Sequence, residues 1–478
     1  MNILRPTLLA LACTFSLASF AANDLPALGD ASSAIVSPEQ EHKLGRAWLS
    51  MLRGQVRQLN DPLLKEYVEQ SVYRLAETSQ LRDRRLEFIV LASPQLNAFA
   101  APGGIIGVNG GLFLHAQTEA EYASVMAHEL AHLSQRHFAR GVEAQKRMQL
   151  PMMAALLAGI VAAAAGAGDA GMAAIVGSQA AAYQTQARYS RLHEQEADRI
   201  GLTNLERAGY DPMAMPEMFE RLVRLYRYDQ RPPEFLSTHP LTDNRIADAR
   251  GRAEQLYRPN GIKDSLRYQL MRARVMLRFE ETPGVAVKRF NAQLSENKNA
   301  QAARYGLALA LTKSGRFDEA RTHLDILLKQ KPKDIIYNLS YAELDLASNK
   351  TNEAYNRVQR MLTTYPNSFP LQQLKADILF KQGKNQETEQ VLEKIVAKRP
   401  NDPDIWLQLA EVRGLNNNII GLHQARAEYF AKVGEYEQAI QQLDLAKRRA
   451  ANNFTLAARI DARQRELIQE ERAIKEMM

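Results

Sequence analysis

TEAEYASVMAHELAHLS, residues 118–134, decides how this chain reads. Thr118 and Glu121 stand at the T-x-x-E spacing of a helix-capping box, and Tyr122, Val125, Met126, Leu130 and Leu133 then return at helical intervals. The spacing predicts a helix from about Glu119 through both histidines. On it, His128 and His132 lie one turn apart on one face with Glu129 beside them, so two imidazoles can grip one cation next to an acid. A catalytic zinc usually takes three protein ligands and keeps a fourth position open, so a further ligand is needed from elsewhere.

A second helix supplies the candidate. It runs from about Ser190, is stopped by Gly209 and has Pro212 just beyond. In SRLHEQEAD, residues 190–198, Glu194 and Asp198 share a face at i, i+4 spacing. Glu194 is the candidate third ligand, and Asp198 is placed to fix a ligand histidine from behind. Glu196 and His193 are turned away from that face. His137, five residues past His132, is turned off the metal-facing side and reads as structural or exposed. With one Zn2+ per chain, Glu129 is the candidate general base, taking a proton from the attacking water and giving it to the leaving amine. A structural zinc normally has four ligands and favours cysteine, so this set points to metal-dependent peptide hydrolysis. A metzincin is excluded, because Gln135 and Phe138 stand where that group needs Gly and His.

Two other stretches bear on the site. Asn97 to Val108 is short, apolar and broken by Pro102-Gly103-Gly104, which suits an edge strand and turn beside the first helix. Its residues Asn97, Phe99 and Ala100 can take an extended substrate by β-addition, or can belong to an ordinary buried hairpin. In Ser237-Thr238-His239-Pro240, His239 is placed either to donate to a developing oxyanion or to fill the open metal position and shut the site.

HELAH at 128–132, SRLHEQEAD at 190–198 and NAFAAPGGIIGVNGGL at 97–112 together resemble peptidase family M48 over roughly residues 40 to 250. The resemblance implies that Glu194, not Glu196, is the third zinc ligand, and favours His239 as a self-inhibitory latch. Extended over the carboxy-terminal repeats, it implies a periplasmic endopeptidase that degrades misassembled outer-membrane proteins and assists their β-barrel assembly. Its partners would be stalled or unfolded β-barrel proteins and, through the repeats, the outer-membrane assembly machinery. The alternative is a chaperone-like assembly factor whose proteolysis is mostly dormant.

Those repeats are visible without any resemblance. Pro332, Pro366 and Pro400 recur every 34 residues, as do Gly315, Asn349 and Gly383, which is the tetratricopeptide period. Ala308, Ala320, Ala342, Ala354 and Ala376 supply small residues where paired helices meet, and such stacks form a solenoid that either binds other proteins or packs on its own catalytic half. The next turn glycine is Gly434, which reads as an insertion around residues 411 to 424.

Arg5, the apolar run Leu8 to Phe20 and Ser19-Phe20-Ala21 read as a signal peptide, residues 1–21, cut near Ala21. A lipoprotein reading at Cys13 is weaker, because the apolar run continues past it. Cys13 is the only cysteine, so the exported chain has no disulfide. Leu150 to Ala182, nearly uncharged but mostly Ala and Gly, is expected to pack as a helical hairpin or to touch a membrane surface. Across 478 residues, 61 basic against 54 acidic side chains is too even a mixture to argue for nucleic acid. The expected fold is mainly α: residues 22–258 form a helical zinc-metalloprotease domain with a small β-hairpin or sheet, and residues 265–478 a tetratricopeptide solenoid, with the break at Tyr257 to Gly261.

Overall fold

Helix-capping signals written in the sequence start many of the helices. In the computed structural model, residues 36–144, 191–226 and 234–477 are described; the leader and the Leu150 to Ala182 stretch lie outside them. The elements preceding the repeats are α1 (Pro38–Gln55), α2 (Pro62–Thr78), β1 (Glu87–Leu91), β2 (Ala98–Ala101), β3 (Ile105–Asn109), α3 (Gly110–His115), α4 (Glu119–Ser134), α5 (His137–Ala144), α6 (Arg191–Arg207), α7 (Ala214–Tyr226), α8 (Glu234–Thr238) and α9 (Asp243–Leu256). Ser37, Asp61 and Thr242 cap α1, α2 and α9, each side chain accepting from a first-turn N–H.

The capping box of α4 forms by half. The Thr118 hydroxyl accepts from the Glu121 N–H, but the Glu121 carboxylate takes the N–H of Gln117, one residue before the cap, and pairs with Arg221 at 2.6 Å. The Glu119 N–H donates instead to Asp264 at 3.1 Å, which ties the start of the metal helix to the connection leading into the repeats.

The sheet has strand order β1-β3-β2, with β1 parallel and β2 antiparallel to β3. Alternation divides it between two cores. Ile89, Leu91 and Ile105 point to α1, where Trp48 is fully buried, while Val90, Ile106 and Val108 face the main core with α2 and α4. β2 is the expected edge strand, paired with β3 on one side only.

Beyond Leu266 the described chain is paired helices. The five repeat alanines are all fully buried. Gly315, Asn349 and Gly383 take left-handed φ values of 73°, 60° and 72° at the turns between paired helices. The expected insertion is not there: Asn417, at φ 58°, holds the next turn in the same 34-residue register, between Pro403–Leu415 and Ile419–Lys432. Asparagine tolerates the left-handed region and stood in for glycine, as it does at Asn349. Gly434 belongs to the following connection, before Tyr436–Arg449.

The repeats pack on the residues before them. Arg274 on Leu266–Phe279 reaches Asp61 at 2.6 Å and Glu343 at 3.0 Å, and Lys65 reaches Asp404 at 2.9 Å. Tyr67, Phe113, Tyr122 and Tyr268 form an aromatic knot with centroids 5.0–6.2 Å apart, joining α2, α3 and α4 to the first helix beyond residue 265. Each such contact contributes about 0.5–1.5 kcal/mol beyond its buried area. Packing on the catalytic half, one of the two uses expected for the repeats, is thus built into the fold. Among the described residues no helix is long and apolar enough to cross a membrane.

Candidate metal centre

Four buried side chains from three separate segments meet at one point: His128 and His132 of α4, Glu194 of α6, and His239 just after α8. Their approach depends on α6 lying against α4. Glu194, Ala197, Asp198, Gly201 and Leu202 form its buried face, and Gly201 makes the contact, since a Cβ there would stand 3.1 Å from the backbone of Ala127 and the Cα of His128. His239 is pinned by its own N–H, which donates to the Phe235 carbonyl at 2.7 Å, with the Phe235 ring 4.9 Å away.

The separations fit a tetrahedral cation. His128 Nε2 lies 3.0 Å from His132 Nε2, 3.3 Å from His239 Nδ1 and 3.6 Å from Glu194; Glu194 lies 3.5 Å from His132 Nε2 and 3.2 Å from His239 Nδ1. With ligand bonds of about 2.0–2.1 Å, neighbouring donors on a tetrahedron sit roughly 3.3 Å apart. With either Glu194 oxygen as the fourth donor, four of the six edges are accounted for, by donors that cannot all hydrogen-bond one another.

Charge tells the same story. Arg245 binds Asp198 through two nitrogens at 2.7 and 2.8 Å, reaches Glu194 at 3.0 Å and donates to the Pro240 carbonyl at 2.7 Å. One guanidinium faces two buried carboxylates, which leaves room for another positive charge. Burial opposes a proton on His128, yet its contacts with Asp198 and Glu194 outweigh that and raise it to about 10, while burial and neighbouring His128 hold His132 well below the usual range. A cation at the four donors would take over the charge that His128 otherwise carries.

Behind the donors, His128 Nδ1 lies 3.0 Å from Asp198, the placement read from the sequence. Glu129 is buried, with Oε1 lacking a hydrogen-bond partner among the described residues and 3.5 Å from His239 Nε2. Burial raises its carboxyl above the usual range, against the pull of His239 and His128 and a hydrogen bond from the Ala100 backbone. Edge strand β2 thus touches the acid directly. Of the other strand residues, Asn97 is buried, and Phe99 packs edge-on against Trp48 at 5.5 Å, so only their backbone is suited to an extended chain.

Two features escaped sequence reasoning. Arg245 shares the buried stripe of α9 with Ala249 and Ala253, and a charge on an alanine stripe was the available signal. His137 is not exposed: it is 1% accessible, with Nδ1 2.8 Å from His132 Nδ1. Helix α4 ends at Ser134, and Arg136 takes a left-handed φ of 49°. Extrapolating the helix to residue 137 therefore fails, because the chain turns back and starts α5 against His132.

Residues 62–253 match peptidase family M48, and residues 280–344 and 369–412 match tetratricopeptide repeats. The chain is 35% identical over 446 residues to the beta-barrel assembly-enhancing protease of Escherichia coli (strain K12), covering 92% of this chain and 91% of that protein. It is 35% identical over 443 residues to the putative beta-barrel assembly-enhancing protease of Vibrio cholerae, with 92% and 91% covered. Over 165 residues it is 35% identical to the mitochondrial metalloendopeptidase OMA1 of Arabidopsis thaliana, covering 34% of this chain and 31% of that one.

Proposed function

This chain belongs to peptidase family M48 and is a metalloendopeptidase carrying tetratricopeptide repeats, and from that premise we propose that it is a zinc endopeptidase of β-barrel outer-membrane protein assembly, held latent by His239. The convergence of His128, His132, Glu194 and His239 carries the proposal. His128, His132 and Glu194 hold one zinc, Asp198 fixes His128, and Glu129 is the general base. When bound, zinc lowers the pKa of its water from about 16 to about 7 and polarises the scissile carbonyl.

His239 lies 3.3 Å from His128 Nε2 and 3.5 Å from Glu129, between the ligands and the acid, where it would exclude an attacking water. Withdrawing the short segment after α8 would free both. That withdrawal clears the acid, whose raised carboxyl then accepts the proton and returns it to the leaving amine. An extended substrate adds to the open side of β2 along Asn97 to Ala100, next to Glu129.

The relatives' names, beta-barrel assembly-enhancing protease, support a role in β-barrel assembly; on this reading the substrates are misassembled outer-membrane β-barrel proteins, and the repeats bind those chains or the assembly machinery. Residues 1–21 act as a signal peptide and the protein works in the periplasm, with residues 22–258 as the protease domain and 265–478 as the repeats. His239 inside the donor set also favours a second reading, in which the chain is an assembly factor whose proteolysis is seldom released.

Purified protein, assayed for zinc content and for cleavage of an unfolded β-barrel protein, separates the readings. Glu129→Gln should keep stoichiometric zinc and lose about 10²–10⁴-fold in cleavage rate. His239→Ala should raise cleavage by about tenfold or more, equivalent to about 1.4 kcal/mol of latch occupancy. Parent protein without bound metal, or a His239→Ala variant that still cuts nothing, would overturn the enzymatic reading.

A further inference from the structure

The chemistry above leaves Glu196 and His137 unused, although His137 touches the ligand His132 and Glu196 touches His137. His137 Nε2 is 3.1 Å from Glu196 Oε2, which also accepts from Arg140 Nη1 at 2.8 Å, and His137 Nδ1 is 2.8 Å from His132 Nδ1. The His137 ring is stacked on His193, centroids 4.4 Å apart and planes 12° from parallel, which fixes its orientation.

Proton counting then leaves one arrangement. A neutral imidazole has one N–H. If His132 ligates through Nε2, its proton sits on Nδ1, so His137 Nδ1 must accept it. The single proton of His137 is then on Nε2 and is donated to Glu196, an acceptor-only carboxylate held in place by Arg140. Counting from the Glu196 end gives the same answer.

We propose that Arg140, Glu196 and His137 form a hydrogen-bond relay that holds His132 in its Nδ1–H tautomer, keeping the Nε2 lone pair aimed at the metal position. His137 and Glu196 are thus positioning residues, doing for His132 through an imidazole what Asp198 does for His128 directly at 3.0 Å. All three acids of the E-x-E-A-D string then serve one ion. The inference rests on metal binding by His128, His132 and Glu194.

The test compares the full chain with its Glu196→Ala, Glu196→Gln and His137→Phe variants. It measures zinc affinity by competition with a chromophoric chelator, histidine tautomers by nitrogen NMR, and thermal melting as a folding control. Glu196→Ala and His137→Phe should weaken zinc binding by about 10–100-fold. Glu196→Gln should lose less, because the amide oxygen still accepts from His137 Nε2–H. The apo Glu196→Ala variant should show His132 as a mixture of tautomers where the parent shows one. Glu196 is about one-third exposed, so its variants are expected to fold. Parental zinc affinity and a parental tautomer pattern in Glu196→Ala, even with a lowered melting temperature, would mean a merely structural contact and overturn the relay. Parent protein that binds no zinc would instead bring down the metal reading, and the relay with it.

Discussion

Around the metal centre the buried positions of facing helices belong to His128, Glu129, His132, Glu194, Asp198 and Arg245, whereas in the repeats they belong to alanine and leucine such as Ala308, Ala342, Leu324 and Leu344. The repeats spread their stability over many similar contacts, each between neighbours in a stack. The metal centre concentrates charge at one point, where one guanidinium, Arg245, serves two buried carboxylates, Asp198 and Glu194. A change in the repeats therefore costs the packing it removes, while a change at the centre strands a charge.

Removing Arg245 should have the largest effect. Arg245→Ala leaves Asp198 and Glu194 buried without their guanidinium, a loss of about 3–5 kcal/mol for a broken buried pair. Thermal melting of the metal-free protein should fall accordingly, and added zinc should restore part of the loss because a cation again faces Glu194. An unchanged melting temperature would mean that water, not Arg245, screens those acids.

Two glycines give the next comparison. At Gly201 a Cβ meets the backbone of α4, and at Gly306 it would stand 2.4 Å from the Phe290 ring. Overpacking costs about 1–3 kcal/mol at either place. Gly201→Ala must shift the helix that carries His128 and should weaken zinc binding as well as stability. Gly306→Ala must move only a ring and its surroundings in the repeats, so melting falls while zinc affinity stays. Equal losses of zinc affinity in both variants would show that the halves are mechanically one.

Relative placement is legible in the sequence where a feature depends on spacing along one helix. His128, Glu129 and His132 on α4, Glu194 with Asp198 on α6, and the 34-residue turns were all legible for that reason. Legibility ended where the chain reverses. The contact of His137 with His132 was not legible, because Arg136 breaks the helix through a left-handed turn and no glycine marks that turn. Asn417 went unrecognised because glycine was sought at a position asparagine can fill. Arg245 showed only as a charge on the alanine stripe of α9, and its partners could not be named because they lie on another helix. The half-formed capping box has the same origin: Glu121 found Arg221 and the Gln117 N–H, choices set by tertiary neighbours.

The smallest expected effect comes from a charge in the repeats that no opposite charge among the described residues balances directly. Asp377 accepts from Gln373 Nε2 at 3.1 Å and from Gln408 Nε2 at 2.8 Å, both on the same carboxylate oxygen. Burial raises its pKa above the ordinary value, and these two bonds only partly oppose it. A raised folded-state pKa means that the fold binds the proton more tightly than the unfolded chain does. The stabilisation from that proton is complete below the unfolded value of about 3.9 and is lost as pH rises through the folded value, above which ionised Asp377 is a constant penalty. Asp377→Asn keeps an oxygen for both glutamines and removes the charge. The variant should therefore melt above the parent at pH 7, and the gap should close as pH is lowered towards 4. Zinc affinity should not change at either pH. A gap that is constant with pH would trace the effect to packing, and would mean that the repeats already screen the charge that the metal centre has to balance group by group.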